Sequence, residues 1–339
     1  MKNNLPLVSI IIDNWDGKHF LKDCLPSVFG QKYPYYEVIV IDDGSVDESA
    51  GYVKTNFPKS RLIENKKHLG FALSNNQGIK IAKGKYILLL NNDTVVTENF
   101  LFPLVESLEN EPQLGGAQSK IKIIPEINLL DDVATYLTPN GFLYHLGFFD
   151  YDQEKYNQRC FTFSPKGACF FIRKEVLDKV GLLDDRFYCY FEESDLAWRI
   201  WLAGYKIIFE PKSLIYHHQA GSINKQSSAN RDFFSFKNRL SSLLTNLSFL
   251  SLLFILPLHL LTVSFFLLFY LFGHKWQNFI AILKAFIWNI REISSNLSKR
   301  KFIQKQIRKT SDIELFKEVF KFPPIKYYFN IFSAYQKGR

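Results

Sequence analysis

Three short apolar runs constrain this chain more than any other feature: Leu7 to Ile12, Val38 to Ile41 and Tyr86 to Leu90. Each has the length and continuity of a strand buried on both faces. Between them lie stretches with helical spacing, Phe20 to Phe29, Ser49 to Phe57 and Phe71 to Ile81, so strand and helix alternate through roughly the first 110 residues. This alternation predicts an α/β fold with a doubly wound, mostly parallel sheet. Such sheets bind ligands outside the carboxyl ends of their strands. The residues found there are polar in all three cases: Asp13, Asn14, Trp15 and Asp16 after the first run, Asp42, Asp43, Gly44 and Ser45 after the second, Asn91, Asn92 and Asp93 after the third.

The stretch 115–216 is mixed, with strand-like pieces at Ala168 to Ile172 and Lys206 to Phe209 framing helical patterns at Lys174 to Val180 and Asp195 to Ala203. Leu247 to Gly273 then carries no Lys, Arg, Asp or Glu, a length sufficient for a bilayer core, which takes about 20 apolar residues. A second apolar-rich helix is expected at Asn278 to Ile290. Of the formal net charge of +9, His274 to Arg339 contributes 14 Lys/Arg against 4 Asp/Glu, a net +10 that leaves the first 273 residues at −1. A near-neutral body joined to a basic tail across an apolar segment points to the inner membrane surface as a partner. Nucleic acid is excluded as one, since aromatic-rich RNA-reading motifs are absent too. A single crossing would place the basic tail outside, against the tendency of basic loops to stay cytoplasmic. Pro257 predicts instead a bent or re-entrant pair of short helices dipping into the inner leaflet, with a buried hairpin packed on the body as the plain alternative. The four cysteines, Cys24, Cys160, Cys169 and Cys189, form no C-x-x-C pair, and Met1 to Pro6 shows no secretory pattern, so a reducing cytosol is expected.

Several polar clusters could carry chemistry. Asp42 and Asp43, where a strand gives way to a Gly-containing turn, can accept hydrogen bonds from a base and ribose, or serve as a helix N-cap. A carboxylate at Asp93, closing the apolar run YILLL, suits a hard divalent ion, although Asn and Asp also favour plain turns. Glu192, Glu193 and Asp195 crowd three acids into four positions. Such crowding raises carboxylate pKa values and suits a general base, while an acidic helix start is the bland reading. His217 and His218 offer imidazoles for a metal site, or simply lie on the surface.

Taken together these segments resemble glycosyltransferase family 2, the inverting enzymes of GT-A fold. VSIIIDNWDG is similar to the family's first strand and turn, VIVIDDGSVDES to its nucleoside-binding turn, and NKKHLGFALSNNQGI with YILLLNNDT to its Asn/Gly-rich helix and metal-binding triplet. GACFFIRKEVLDKVGLLDDRF, FEESDLAWR and GYKIIFEPKSLIYHHQAGS are similar to the acceptor-side motifs, and within the family the chain looks most like bacterial rhamnosyltransferase-type enzymes. The resemblance implies a metal-dependent hexosyltransferase-type catalytic domain over 1–245, with a nucleotide-sugar half at 1–114 and an acceptor half at 115–245. A membrane-associated helical segment at 246–291 and a basic tail at 292–339 would follow. It implies Mg²⁺ or Mn²⁺ held by Asp93, Asn91 and His217, and Glu193 as catalytic base with Glu192 beside it. Substrate contacts are implied for Asp13, Asn14, Asp42, Asp43, Gly70, Asn76, Asn92, Gly167, Asp195 and Arg199, with Asp42 on the donor nucleoside. Asp195 and Arg199, four apart, are spaced to pair on one helical face. Asn91 and Glu193 stand where relatives usually carry Asp, and Asp16 where they often carry Asn. The implied donor is a UDP-, dTDP- or GDP-sugar, the acceptor a glycan or polyprenyl-diphosphate-linked glycan for cell-surface polysaccharide, and the location the cytoplasmic face of the cell membrane. A catalytically silent scaffold subunit of a polysaccharide assembly complex is the alternative. A sugar-1-phosphate nucleotidyltransferase would want a Gly-rich basic signature that IIDNWDG lacks.

Overall fold

The computed structural model describes residues 5–218 and 227–327. Its first part alternates as the apolar pattern requires: β1 (Val8–Asn14), α1 (Lys18–Phe29), β2 (Tyr36–Asp42), α2 (Ser49–Asn56), β3 (Arg61–Glu64), α3 (Phe71–Ile81) and β4 (Tyr86–Asn91). β1 lies between β2 and β4, and β3 lies outside β2, all parallel. The side chains of β1 and β4 are almost fully buried, as strands covered on both faces must be. Next come β5 (Thr94–Val96), α4 (Leu101–Asn110), β6 (Leu114–Ile123), β7 (Leu130–Asp132), β8 (Ala134–Leu137), β9 (Leu143–Leu146), β10 (Cys160–Phe161), β11 (Cys169–Arg173), α5 (Lys174–Val180), α6 (Glu192–Leu202) and β12 (Lys206–His217). The central sheet runs β10-β12-β6-β11-β4-β1-β2-β3.

The sheet is mixed at one point that matters for the site. β11 is antiparallel to both β4 and β6, whereas β12 runs parallel to β6. Because β11 is reversed, its entrance meets the exit of β4: Cys169 pairs with Leu90, and the Asn91 amide donates to the Ala168 carbonyl. β12 leaves the sheet at this same edge, where His217 pairs with Thr94 and the His218 amide donates to the Asp93 carbonyl. β12 is one strand with a register break between Glu210 and Leu214, so the strand-like piece at 206–209 is the first part of a longer single element.

The C-terminal part is helical: α7 (Ser228–Asn246), α8 (Phe249–Phe272), α9 (Trp276–Arg291), α10 (Ile293–Phe302) and α11 (Asp312–Val319). α8 corrects the expected pair of short helices, being one continuous helix with Pro257 inside it. The sequence around Pro257 is apolar on both sides, with no turn residues to satisfy the backbone groups that a break would expose. Continuing the helix leaves only the bond that proline itself removes unmade. Residues after 292, expected as a basic tail, fold back on the body. Lys299 pairs with Asp184 at 2.6 Å and Asp195 at 2.9 Å, Arg300 donates to the Leu244 and Leu247 carbonyls, and the Lys321 amide donates to the Leu137 carbonyl beside β8.

Candidate active site

The ends of β1, β4 and β12, the entrance of β11 and the start of α6 enclose a cleft of about 350 Å³. On its floor Asn91, Asn92 and Asp93 follow β4. Asn92 Nδ2 donates to Asn14 Oδ1 at 2.6 Å, and Asn14 in turn donates to Asp42 at 3.2 Å, a chain that ties the ends of β4, β1 and β2 together. Asp93 lies 3.2 Å from His217 Nε2, and His217 Nδ1 lies 2.8 Å from Asp131 in β7. Burial alone would lower the pKa of His217, but the Asp93 and Asp131 carboxylates on either side raise it to about 9. Burial would push Asp131 up, yet the Lys166 ammonium and His217 hold it well below the usual carboxylate range.

Across the cleft, Phe191 in a left-handed conformation (φ 72°) turns the chain into α6, so that Glu192 and Glu193 open the helix facing the cavity. Burial raises both carboxyls, and the Glu193 charge raises Glu192 further. The Glu192 side chain is 5 % exposed and its Oε2 has no hydrogen-bond partner. Glu193 faces His145 and Lys166, whose charges oppose the rise. The two carboxyls therefore titrate as a pair, with the cations facing Glu193 favouring charge on that side. Gly167 closes this side: a Cβ there would sit 3.8 Å from the Glu193 carboxyl. Asp13 also lines the cleft, pushed well up by burial and by the neighbouring Asp43 and Asp42 charges, with its Oδ1 unpartnered.

The third wall is aromatic. Trp15 and His68 stack with centroids 4.0 Å apart at 7°, and Tyr188 meets His68 edge-on at 5.2 Å. Asp43 builds this wall from behind. Its carboxylate accepts from His68 Nδ1 at 2.6 Å, Asn65 at 2.8 Å and the backbone amides of Leu69 and Gly70 at 2.9 Å. Burial would raise Asp43, but these donors hold it down.

The expected site residues thus divide in two. Asp13, Gly70, Asn91, Asn92, Asp93, Gly167, Glu192, Glu193 and His217 line the one cleft. Asn14, Asp42, Asp43, Asn76, Asp195 and Arg199 lie behind it, their polar atoms engaged by protein. Asp42 accepts from Asn14 and from the Ser45 amide at 3.3 Å, and Asn76 bridges α3 to Leu183 and Asp185. Asp195 pairs with Arg199 at 3.2 Å and accepts from Ser242 and Asn246 on α7, while Arg199 caps the Val180 and Leu182 carbonyls. Sequence reasoning assigned no role to Trp15, His68, Lys166, Asp131 or Tyr188. The only signal available was Trp15 itself, a flat ring directly after a strand that ends in acids.

Donors for a divalent ion are present: the Asp93 carboxylate, Asn91 Oδ1, which is buried without a hydrogen-bond partner, and the imidazole Nε2 of His217 once an ion displaces its proton. Among the described residues no three His, Cys, Asp or Glu side chains cluster as a complete metal site. The chain therefore offers a partial shell of the oxygen-and-imidazole kind that suits Mn²⁺ and leaves positions for substrate oxygens.

The chain has relatives among known proteins. The chain is 25% identical over 214 residues to poly-β-1,6-N-acetyl-D-glucosamine synthase of Staphylococcus epidermidis, covering 62% of this chain and 49% of that one. It is 27% identical over 231 residues to the uncharacterized protein y4gI of Sinorhizobium fredii, covering 64% of this chain and 25% of that one. The chain therefore spans half or less of the length of these curated relatives. Among solved structures, GalNAc-T7 with UDP, GalNAc and Mn²⁺ matches with a TM-score of 0.58 at 20% identity, over 72% of this chain and 48% of that one. The mannosyltransferase PcManGT from Pyrobaculum calidifontis, in complex with GDP-Man and Mn²⁺, matches with a TM-score of 0.52 at 16% identity, over 85% and 88% of the two chains. These likenesses show the fold, which is of GT-A type. Residues 9–181 match glycosyl transferase family 2, more than half of the sequence, and the chain belongs to that family.

Proposed function

We propose that the protein is an inverting glycosyltransferase of cell-surface polysaccharide synthesis. It would move a sugar from a nucleoside-diphosphate donor to a glycan or polyprenyl-diphosphate-linked acceptor at the cytoplasmic face of the membrane. One observation carries this reading: the acids after β4 and those opening α6 face each other across a single cleft with an aromatic wall. The Trp15–His68 stack offers a flat ring surface of the kind a nucleobase covers.

Glu193 takes the proton of the acceptor hydroxyl as that oxygen attacks the anomeric carbon. Glu192 beside it, its carboxyl raised by burial and by the Glu193 charge, shares the protons of the pair, which disfavours a second negative charge there. The attack is in line and inverts the anomeric configuration. Asp93, Asn91 and His217 would hold Mn²⁺ or Mg²⁺, which when bound neutralises charge growing on a departing diphosphate. Lys166, held by Asp131 at the same edge, adds positive charge to this side of the cleft. Trp15, His68 and Tyr188 receive the base, and Asp43 keeps that wall in position from behind.

The test is a donor screen over UDP-, dTDP- and GDP-sugars with Mn²⁺, read both by thermal shift and by turnover. Glu193→Gln is expected to lose on the order of 10²- to 10⁴-fold in kcat, the range for a general base, while the donor still raises the melting temperature as in the wild type. Unchanged turnover in Glu193→Gln would remove the mechanism. Donor binding without turnover across a broad acceptor panel would favour a silent scaffold subunit, the reading that Asn91 and Glu193 in place of Asp suggest.

A further inference from the structure

The geometry points to a membrane seat in which α8 lies flat in one leaflet rather than crossing the bilayer, with α9 as a second lipid-facing helix beside it. This deepens the membrane attachment proposed above and rests on it, but not on the reaction.

The first observation is the polarity of α9, whose buried face mixes Ala281, Ile282 and Ala285 with two asparagines and whose outward face is no more polar. Its buried face carries Asn278 and Asn289, which donate to Asp232 at 2.7 Å and to the Lys237 carbonyl at 2.9 Å. Its outward face is apolar: Trp276, Ile280, Leu283, Ile287 and Ile290 recur at helical spacing and are 40–71 % exposed. A helix at a water boundary shows the opposite pattern. Exposed stripes of this size mark an interaction surface, and Lys275, Lys284 and Arg291 beside this one complement anionic headgroups.

The second observation is how α8 is fastened. It is the one helix among the described residues long and apolar enough to cross a membrane, with Phe254, Leu261, Phe265, Phe269 and Phe272 exposed. Its opposite stripe, Ile255, His259 and Val263, is buried against the body. The Ser248 amide before it bonds Asp312 at 2.7 Å, His259 bonds the Asn140 carbonyl at 2.9 Å, and Val263 packs with Phe236 of α7 and Ile282 of α9. α7 in turn grips the active-site loop, Asn238 donating to the Cys189 and Tyr190 carbonyls. A helix bound along its length to a polar catalytic body cannot also be surrounded by hydrocarbon along that length. Lying in the interface satisfies both faces. The loop that leads into Glu192 and Glu193 is then held near the bilayer by α7, within reach of a lipid-borne acceptor.

The test uses full-length protein and vesicles of phosphatidylcholine with or without phosphatidylglycerol, made with lipids brominated near the headgroup end or near the methyl end of the chains. Flotation is expected to increase with phosphatidylglycerol. Tryptophan quenching is expected to be stronger from the shallow bromines and to fall in Trp276→Phe. The pair Ile280→Glu with Ile287→Glu, at exposed positions, should lower vesicle affinity about tenfold or more, the loss expected for two apolar side chains, with an unchanged circular dichroism spectrum and melting temperature. Stronger quenching from the deep bromines, with flotation intact, would overturn the flat seat and leave attachment standing. Absence of flotation, or burial of Trp276 in a soluble dimer, would overturn both, while the donor screen would still report on the reaction.

Discussion

Glu193 and Glu192 show how burial rather than residue type sets chemistry. Either carboxyl in water would be ionised at neutral pH and a weak base; enclosed together, both are raised. The rate should accordingly fall, as pH drops, through a midpoint above the ordinary glutamate range, because protonating Glu193 removes the base. A kcat-against-pH profile whose acid limb sits at the ordinary glutamate value would contradict the pairing. Gly70 is the second residue on which the cleft depends. Its φ of +93° is a conformation L side chains rarely adopt, and a Cβ there would lie 2.5 Å from the Tyr188 ring and 2.7 Å from its carbonyl oxygen. Gly70→Ala is expected to cost about 1–3 kcal/mol in urea unfolding and to weaken donor binding, since it pushes on the aromatic wall.

At the scale of elements, α6 is the hinge between chemistry and stability. One end presents Glu192 and Glu193, while Asp195 one turn later is fully buried among Arg199, Lys299, Ser242 and Asn246. Removing that carboxylate leaves Arg199 buried with backbone carbonyls alone and Lys299 with Asp184 alone, so Asp195→Ala should lose about 3 kcal/mol in denaturant unfolding. Partner charges hold Asp131, Asp184 and Asp195 below their ordinary pKa against the upward push of burial. Their contribution is thus present above the unfolded carboxylate range and is lost as pH falls through the folded values. Urea midpoints should decline below about pH 4, less steeply in Asp195→Asn. The elements differ in how readable they were. β1, β2 and β4 each contain a continuous apolar run and α3 has helical spacing, so their positions followed from pattern. β6 and α7 did not, because they bury Gln118, Ser119 and Lys120, and Asn238, Ser241, Ser242, Thr245 and Asn246. Partners distant in sequence satisfy several of those polar groups, which apolar periodicity does not register.

For the whole molecule, the C-terminal helices act as a clamp. α10 ties α6 through Lys299 and α7 through Arg300, and α11 reaches β8. Truncation after Arg291 should lower the melting temperature by several degrees and leave Asp195 and Asp184 without Lys299, whereas an unattached tail could be removed with no change; differential scanning calorimetry reads the difference. The alternation of strands and helices, the acids at the strands' carboxyl ends, the apolar length of α8 and the location of the basic excess all followed from the sequence, because each is a local pattern with a local physical cause. Which acids meet did not. Asp42 and Asp43 stand at a strand end like Asp93, yet the fold turns their carboxylates toward Asn14, Asn65 and His68 and leaves Asp93 to face His217, 124 positions later in the chain. That choice comes from the reversal of β11 and the exit of β12 at the edge of β4, and pairings between distant strands leave no periodic trace in either partner.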